Sequence, residues 1–97
     1  MHGAERLIAQ SQRIKSMDIT IQFFSVSKDL AGRNKMQISV PESATLVDAL
    51  KTLFSEIPSL ALLHASSMYA VGVDYATIEK QLHEGDVISI IPPVQGG

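Results

Sequence analysis

Apolar and polar residues fall into a regular rhythm from Met17 onward. Asp18-Ile19-Thr20-Ile21-Gln22-Phe23 alternates, which puts Ile19, Ile21 and Phe23 on one face of a half-buried strand and Phe24 on the opposite face. Ser25 to Asn34 is polar, contains Gly32 and reads as a loop, after which Met36, Ile38 and Val40 alternate again. The two alternating runs are expected to pair as a hairpin. Thr45 then stands as an N-cap with Asp48 three residues on, a capping box with Asp in place of Glu. Leu46, Ala49, Leu50, Leu53, Phe54 and Ile57 recur at helical spacing, and Pro58 ends the helix. The stripe has the period of core packing against a sheet.

Beyond Pro58 the pattern shortens. Ser59 to Ala65 is leucine-rich and predicts a short second helix; Tyr69 to Val73 predicts a third strand centred on Val71; Thr77 to Leu82 has no clear period. Glu84-Gly85-Asp86 marks a turn, and Val87 to Ile91 is β-branched apart from Ser89, as in a strand buried within a sheet. Pro92 and Pro93 have no N–H to donate, so the chain is expected to leave the sheet there. The order hairpin, helix, strand, helical turn, strand is that of an α+β, β-grasp (ubiquitin-like) domain. Its first and last strands would lie side by side at the centre of a mixed sheet. This domain is assigned to residues 17–97, with a tail over 92–97. Residues 1–16 have no such rhythm and are read as an N-terminal extension, expected to be disordered; Glu5 and the short length weigh against a targeting peptide.

At 97 residues with 45% hydrophobic content, the chain supports one core. Residues 1–16 carry Arg6, Arg13 and Lys15 against Glu5, whereas residues 17–97 carry five Lys/Arg against nine Asp/Glu, a net of −4. That acidic balance, with few aromatics, excludes nucleic acid as the expected partner and suits a basic protein. Cysteine is absent, so no disulfide, thiolate metal site or side-chain persulfide is available. His2, His64 and His83 are scattered, so no metal ligand set is expected and surface or capping roles are assigned to them. No apolar run is long enough to span a bilayer and no signal-peptide pattern appears, so a cytosolic location without membrane attachment is expected. No Ser-His-Asp set, phosphate loop or nucleotide fingerprint is present, which points away from an independent enzyme.

The chemistry concentrates in the ending Ile91-Pro92-Pro93-Val94-Gln95-Gly96-Gly97. A terminal glycine presents an α-carboxylate with no Cβ beside it, so it can pass through a narrow groove and take backbone angles closed to other residues. With no thiol in the chain, the Gly97 carboxylate is the candidate atom group for acyl or sulfur chemistry. A frayed, idle end is the plain alternative.

Phe23-Phe24, Asp29-Leu30-Ala31-Gly32, Ala70-Val71, Gly85-Asp86 and the ending Pro92-Pro93-Val94-Gln95-Gly96-Gly97 together resemble the small, sulfur-carrying subunit of molybdopterin synthase. The resemblance covers Met17 to Gly97, and the Pro-Pro-Val-x-Gly-Gly ending is its most specific part. Gly72 departs from it, since the family pattern usually has Asn there. The resemblance implies a carrier whose Gly97 is adenylated with ATP and then thiocarboxylated by an E1-like activating enzyme. The carrier would then donate sulfur to cyclic pyranopterin monophosphate to build the molybdopterin dithiolene. It implies no permanently bound cofactor, a large-subunit partner that supplies the catalytic side chains, and a heterotetramer of two small and two large subunits. Phe24, Tyr75 and Ile91 fall at the positions where the small subunit packs on the large one, and they are expected to form one apolar anchor patch. A sulfur carrier for thiamine biosynthesis or tRNA thiolation, a ubiquitin-like protein modifier and a plain interaction domain are the alternatives.

Overall fold

The computed structural model describes residues 15–93, and the first strand, β1, spans Ser16–Phe23. It begins one residue before the boundary drawn from the rhythm. Ser16 pairs with Pro41, and the Lys15 carbonyl accepts the Glu42 N–H at 2.7 Å, so the hairpin's backbone ladder extends past the last alternating side chain. A short helix, α1, follows at Val26–Ala31, then β2 at Lys35–Pro41 and the main helix, α2, at Leu46–Glu56. A 3-10 segment covers Pro58–Ser66. Strand β3 is Met68–Val71, β4 is Asp74–Tyr75 and β5 is Val87–Ile91.

The five strands form one mixed sheet in the order β2-β1-β5-β3-β4. β1 and β5 run parallel at its centre, in register from Thr20↔Val87 to Phe23↔Ile90, and the other pairings are antiparallel. One face is covered by α2. Ile19, Ile21 and Ile88 on the sheet and Leu46, Leu50 and Leu53 on the helix are wholly buried in a common core. The helical stripe expected from the sequence is the buried face, with Phe54 and Ile57 packed at its margin. The capping box is present: the Thr45 N–H donates to Asp48 Oδ2 at 2.9 Å and the Thr45 hydroxyl reaches the same oxygen at 3.1 Å. These bonds stabilise the ionised carboxylate and hold the Asp48 pKa below its ordinary value.

Three expectations need correction. The segment Ser25 to Asn34 is not all loop, because Val26–Ala31 winds into α1 and ends on Gly32 in the left-handed conformation at φ 74°. Six residues are too few to display a helical apolar stripe, so no periodicity announces it. The third strand is Met68–Val71 rather than Tyr69 to Val73: Gly72, at φ 66°, and Val73 form the turn of a tight hairpin that returns as β4. The positive φ at the first turn residue is what such hairpins require, and Gly supplies it without strain. The leucine-rich stretch after Pro58 is helical but wound as 3-10, with only Leu60 fully buried.

Candidate functional site

The face of the sheet opposite α2 is uncovered by any other element among the described residues. Register fixes its members: Lys35, Gln37 and Ser39 on β2; Asp18, Thr20 and Gln22 on β1; Val87, Ser89 and Ile91 on β5; Met68 and Ala70 on β3; and Tyr75 on β4. Most of this surface is neutral and polar. Its apolar part gathers at one end, where β1 and β5 finish together. Phe24 follows Phe23, whose register partner is Ile90, so Phe24 and Ile91 stand at the same end on adjacent strands. Ile91 opposes Met68, and Tyr75 opposes Ala70. Phe24, Met68 and Tyr75 are 46%, 54% and 68% exposed, Ile91 is half-buried, and Ala70 lies beneath them as a small buried floor.

The three residues singled out from the sequence therefore share one face. Phe24 and Ile91 lie at the same end of adjacent strands, one residue beyond the last β1–β5 pair, whereas Tyr75 sits two strands from β5 at the sheet edge. Met68 bridges the gap, and sequence reading missed it because the strand was started one residue late. Its alternation with Ala70 is the signal that finds it. Met68 and Tyr75 line a shallow concavity of about 280 Å³ together with Thr77 and Ile78. On the other side of the patch, Phe24 lines a second hollow of about 330 Å³ with Gln22, Lys28 and Asn34.

β5 ends at Ile91, beside this patch. Pro92 is buried, Pro93 is exposed and neither continues the ladder, so the chain leaves the sheet where expected. Val94, Gln95, Gly96 and Gly97 lie outside the described residues, as do residues 1–14 with His2.

Charge is arranged against the direction expected from composition. Asp18, Glu84 and Asp86 gather at the opposite end of β1 and β5, where Glu84 accepts the Asp18 N–H at 3.1 Å and the Gly85 N–H reaches the Asp18 carbonyl at 2.9 Å. Among the described residues, the charged side chains that register places on the open face are Asp18 at that end and Lys35 near the patch. The acidic excess of the domain thus does not surround the apolar patch.

Two histidines have local partners. His83 stands at the Glu84-Gly85-Asp86 turn, where its backbone N–H donates to Asp86 Oδ2 at 2.8 Å and its exposed ring lies 3.9 Å from the same oxygen. His64 is not a plain surface residue: its Nδ1 lies 2.6 Å from the hydroxyl of buried Tyr69, and its ring meets Phe54 edge-on. Burial disfavours the phenolate and pushes the Tyr69 pKa up to about 12. Among the described residues no cluster of three or more His, Asp or Glu is placed to hold a metal, and no helix is long and apolar enough to cross a membrane.

A family model for the ThiS family matches residues 21–97, from the middle of β1 through the tail. The chain belongs to the ThiS family. Similar proteins include the molybdopterin synthase sulfur carrier subunit of Arabidopsis thaliana, 26% identical over 88 residues that cover 91% of this chain and 92% of the relative. Among solved structures, SAMP1 from Haloferax volcanii superposes with a TM-score of 0.77 at 23% identity, covering 82% of this chain and 99% of that one, a likeness of fold. A complex of subunits 1 and 2 of molybdopterin-converting factor from Helicobacter pylori includes a chain that matches with a TM-score of 0.61 at 26% identity, covering 84% of this chain and 100% of that one. The ThiS family match includes Phe24, Tyr75, Ile91, the bridging Met68 and all of the proline-glycine ending.

Proposed function

We propose that this ThiS family member is the sulfur carrier subunit of molybdopterin synthase, with Gly97 as the group that is charged and discharged. The observation that carries this reading is the family match through residue 97, in which a Pro-Pro-Val-Gln-Gly-Gly ending follows directly on the strand that borders the apolar patch. Relatives that align over nearly their whole length and bear that name support it. In this reading the patch of Phe24, Met68, Tyr75 and Ile91 seats against a large subunit, as the two-subunit assembly of the Helicobacter pylori relative suggests. Two carriers and two large subunits make the assembly.

The chemistry follows from the carboxylate. A carboxylate resists nucleophiles, so one Gly97 oxygen first attacks the α-phosphorus of ATP on an E1-like enzyme, and pyrophosphate leaves. Sulfur from a sulfide-level donor then displaces AMP to give a thiocarboxylate. That soft anion attacks an oxygen-bearing carbon of cyclic pyranopterin monophosphate, and the carbon–oxygen bond breaks with its electron pair leaving on the oxygen. Water then hydrolyses the resulting thioester, which leaves sulfur on the pterin as a thiolate and restores the carboxylate. Each dithiolene takes two sulfurs, hence two charged carriers. The chain supplies the reacting terminus and the docking face; acid, base and phosphate-binding groups come from the partners.

Intact-mass measurement after incubation with ATP, a sulfur source and the activating enzyme tests the reading. The expected result is one oxygen replaced by one sulfur on Gly97, lost again when large subunit and pterin precursor are added. A gain that persists with precursor present assigns the sulfur to another acceptor. Higher-mass conjugates on denaturing gels with no such gain identify a protein modifier instead.

A further inference from the structure

Ser25 is the one non-glycine residue with positive φ among the described residues, at φ 56° and ψ −132°. An L side chain crowds the backbone there, so the conformation persists only where surrounding structure enforces it. The enforcing group is close by. Ser27 is the one fully buried polar side chain among the described residues, and its hydroxyl is used twice on a single residue. It accepts the Phe24 N–H at 3.0 Å and donates to the Phe24 carbonyl at 2.6 Å, while the Ser27 N–H reaches the same carbonyl at 3.1 Å. Ser25, the residue at the N-cap position of α1, makes no side-chain cap bond. The turn is therefore held from Ser27, two residues beyond the strained residue, and what it holds is the backbone of Phe24.

The geometry points to Ser27 as a positioning residue for partner binding, a buried hydroxyl that locks the strained turn at Ser25 and so fixes Phe24 as a protruding anchor before the partner arrives. This inference rests on the proposed docking of the Phe24 patch. Core packing alone gives no reason for the arrangement. Phe23 already fills the core at the end of β1, and a strand that simply stopped there could relax through a strain-free turn. Instead, a buried hydrogen-bonding group is committed to one partly exposed aromatic residue. An anchor held in its bound position spares the ordering cost at association and slows dissociation when the contact is made. Without the hydroxyl, the Phe24 N–H loses that buried partner and the Phe24 carbonyl keeps only the Ser27 N–H, so Ser25 is released toward negative φ and Phe24 is no longer fixed.

The test uses the full chain and the purified large subunit from the same source. Ser27→Ala is expected to weaken binding about tenfold, mainly through faster dissociation, the size that follows from loss of a buried hydrogen-bonding group. Adding Ser25→Gly, which takes positive φ without strain, is expected to recover part of that loss; a residue that merely stabilised the domain would not be rescued in affinity this way. Wild-type affinity in folded Ser27→Ala, alongside weakened binding by Phe24→Ala, overturns the positioning role and leaves the docking reading standing. Wild-type affinity in Phe24→Ala removes Phe24 from the interface and overturns both. Should Ser27→Ala not fold, hydrogen exchange on the unaltered protein decides: the Phe24 amide is expected to be as protected as its neighbours in β1, and free exchange there overturns the lock.

Discussion

The two helices begin by opposite devices. α2 starts at a capping box in which Thr45 and Asp48 satisfy one another at the surface, and it then buries Leu46, Ala49, Leu50 and Leu53 against the sheet. α1 starts at a strained, uncapped Ser25, buries only Ser27, and leaves Val26 and Leu30 at 40% and 38% exposure. The first is fastened by burial of apolar area, which is strong and tolerant of local detail. The second is fastened by a hydroxyl and a positive φ, which are weak but positionally exact. One helix holds the domain together, and the other sets where a single aromatic residue stands.

Core truncation separates the two most sharply. Leu53→Ala, which empties a wholly buried site between α2 and the sheet, is expected to cost about 2–5 kcal/mol in denaturant unfolding. Leu30→Ala on α1 is expected to cost less than about 1 kcal/mol. Equal losses would mean that α1 is as much a part of the core as α2.

The next effect belongs to the 3-10 segment and β3. Tyr69 is neutral in the fold up to about pH 12, whereas an unfolded tyrosine ionises near pH 10. Its contribution to stability is therefore fully present below about pH 10 and is lost as pH rises from there toward about 12. Absorbance titration is expected to show one tyrosine ionising together with unfolding, and Tyr69→Phe is expected to remove that coupling.

Smaller still is the cap. Thr45→Ala is expected to cost about 1 kcal/mol in thermal or denaturant melts. The lowered Asp48 pKa works in the opposite direction to that of Tyr69: its stabilisation is present above the ordinary Asp range and disappears as pH falls through the depressed value. Asp48→Asn is expected to flatten the acid limb of the stability curve. The smallest expected change is Ser25→Gly, a gain or loss of no more than about 1 kcal/mol as relieved strain offsets added chain freedom. A loss well beyond that would show that Ser25 is not strained.

The same contrast explains what could be read from the residues. The α2 stripe, the β1 and β2 alternation and the apolar β5 each repeat over several residues, and repetition reveals a face. So the fold class, the central pairing of β1 with β5 and the exit at Pro92 were all accessible. α1 is too short to repeat anything, and its determinants are a single hydroxyl and one dihedral angle that no composition rule encodes. Met68 escaped for a related reason: a strand boundary shifted by one residue drops a side chain from its face. Phe24 directly follows one clear strand pattern and Ile91 ends another, so both could be placed on the sheet, whereas the grouping of Phe24, Ile91 and Tyr75 as one patch came through the resemblance. That Tyr75 stands on its own edge strand depends on the Gly72-Val73 turn.

The central pairing of β1 with β5 also bears on when the molecule becomes whole. Among the described strands, the one that fills the middle of the sheet comes last in the chain, and its parallel neighbour β1 comes first. Closing so long a loop makes for slow folding and leaves β1 and β3 with open edges until residues 87–91 arrive. A chain cut short before that point has no sheet to complete and no ledge beside Ile91. Because the same strand closes the sheet and borders the apolar patch, a copy without residues 87–91 lacks both a complete sheet and the surface on which Ile91 stands.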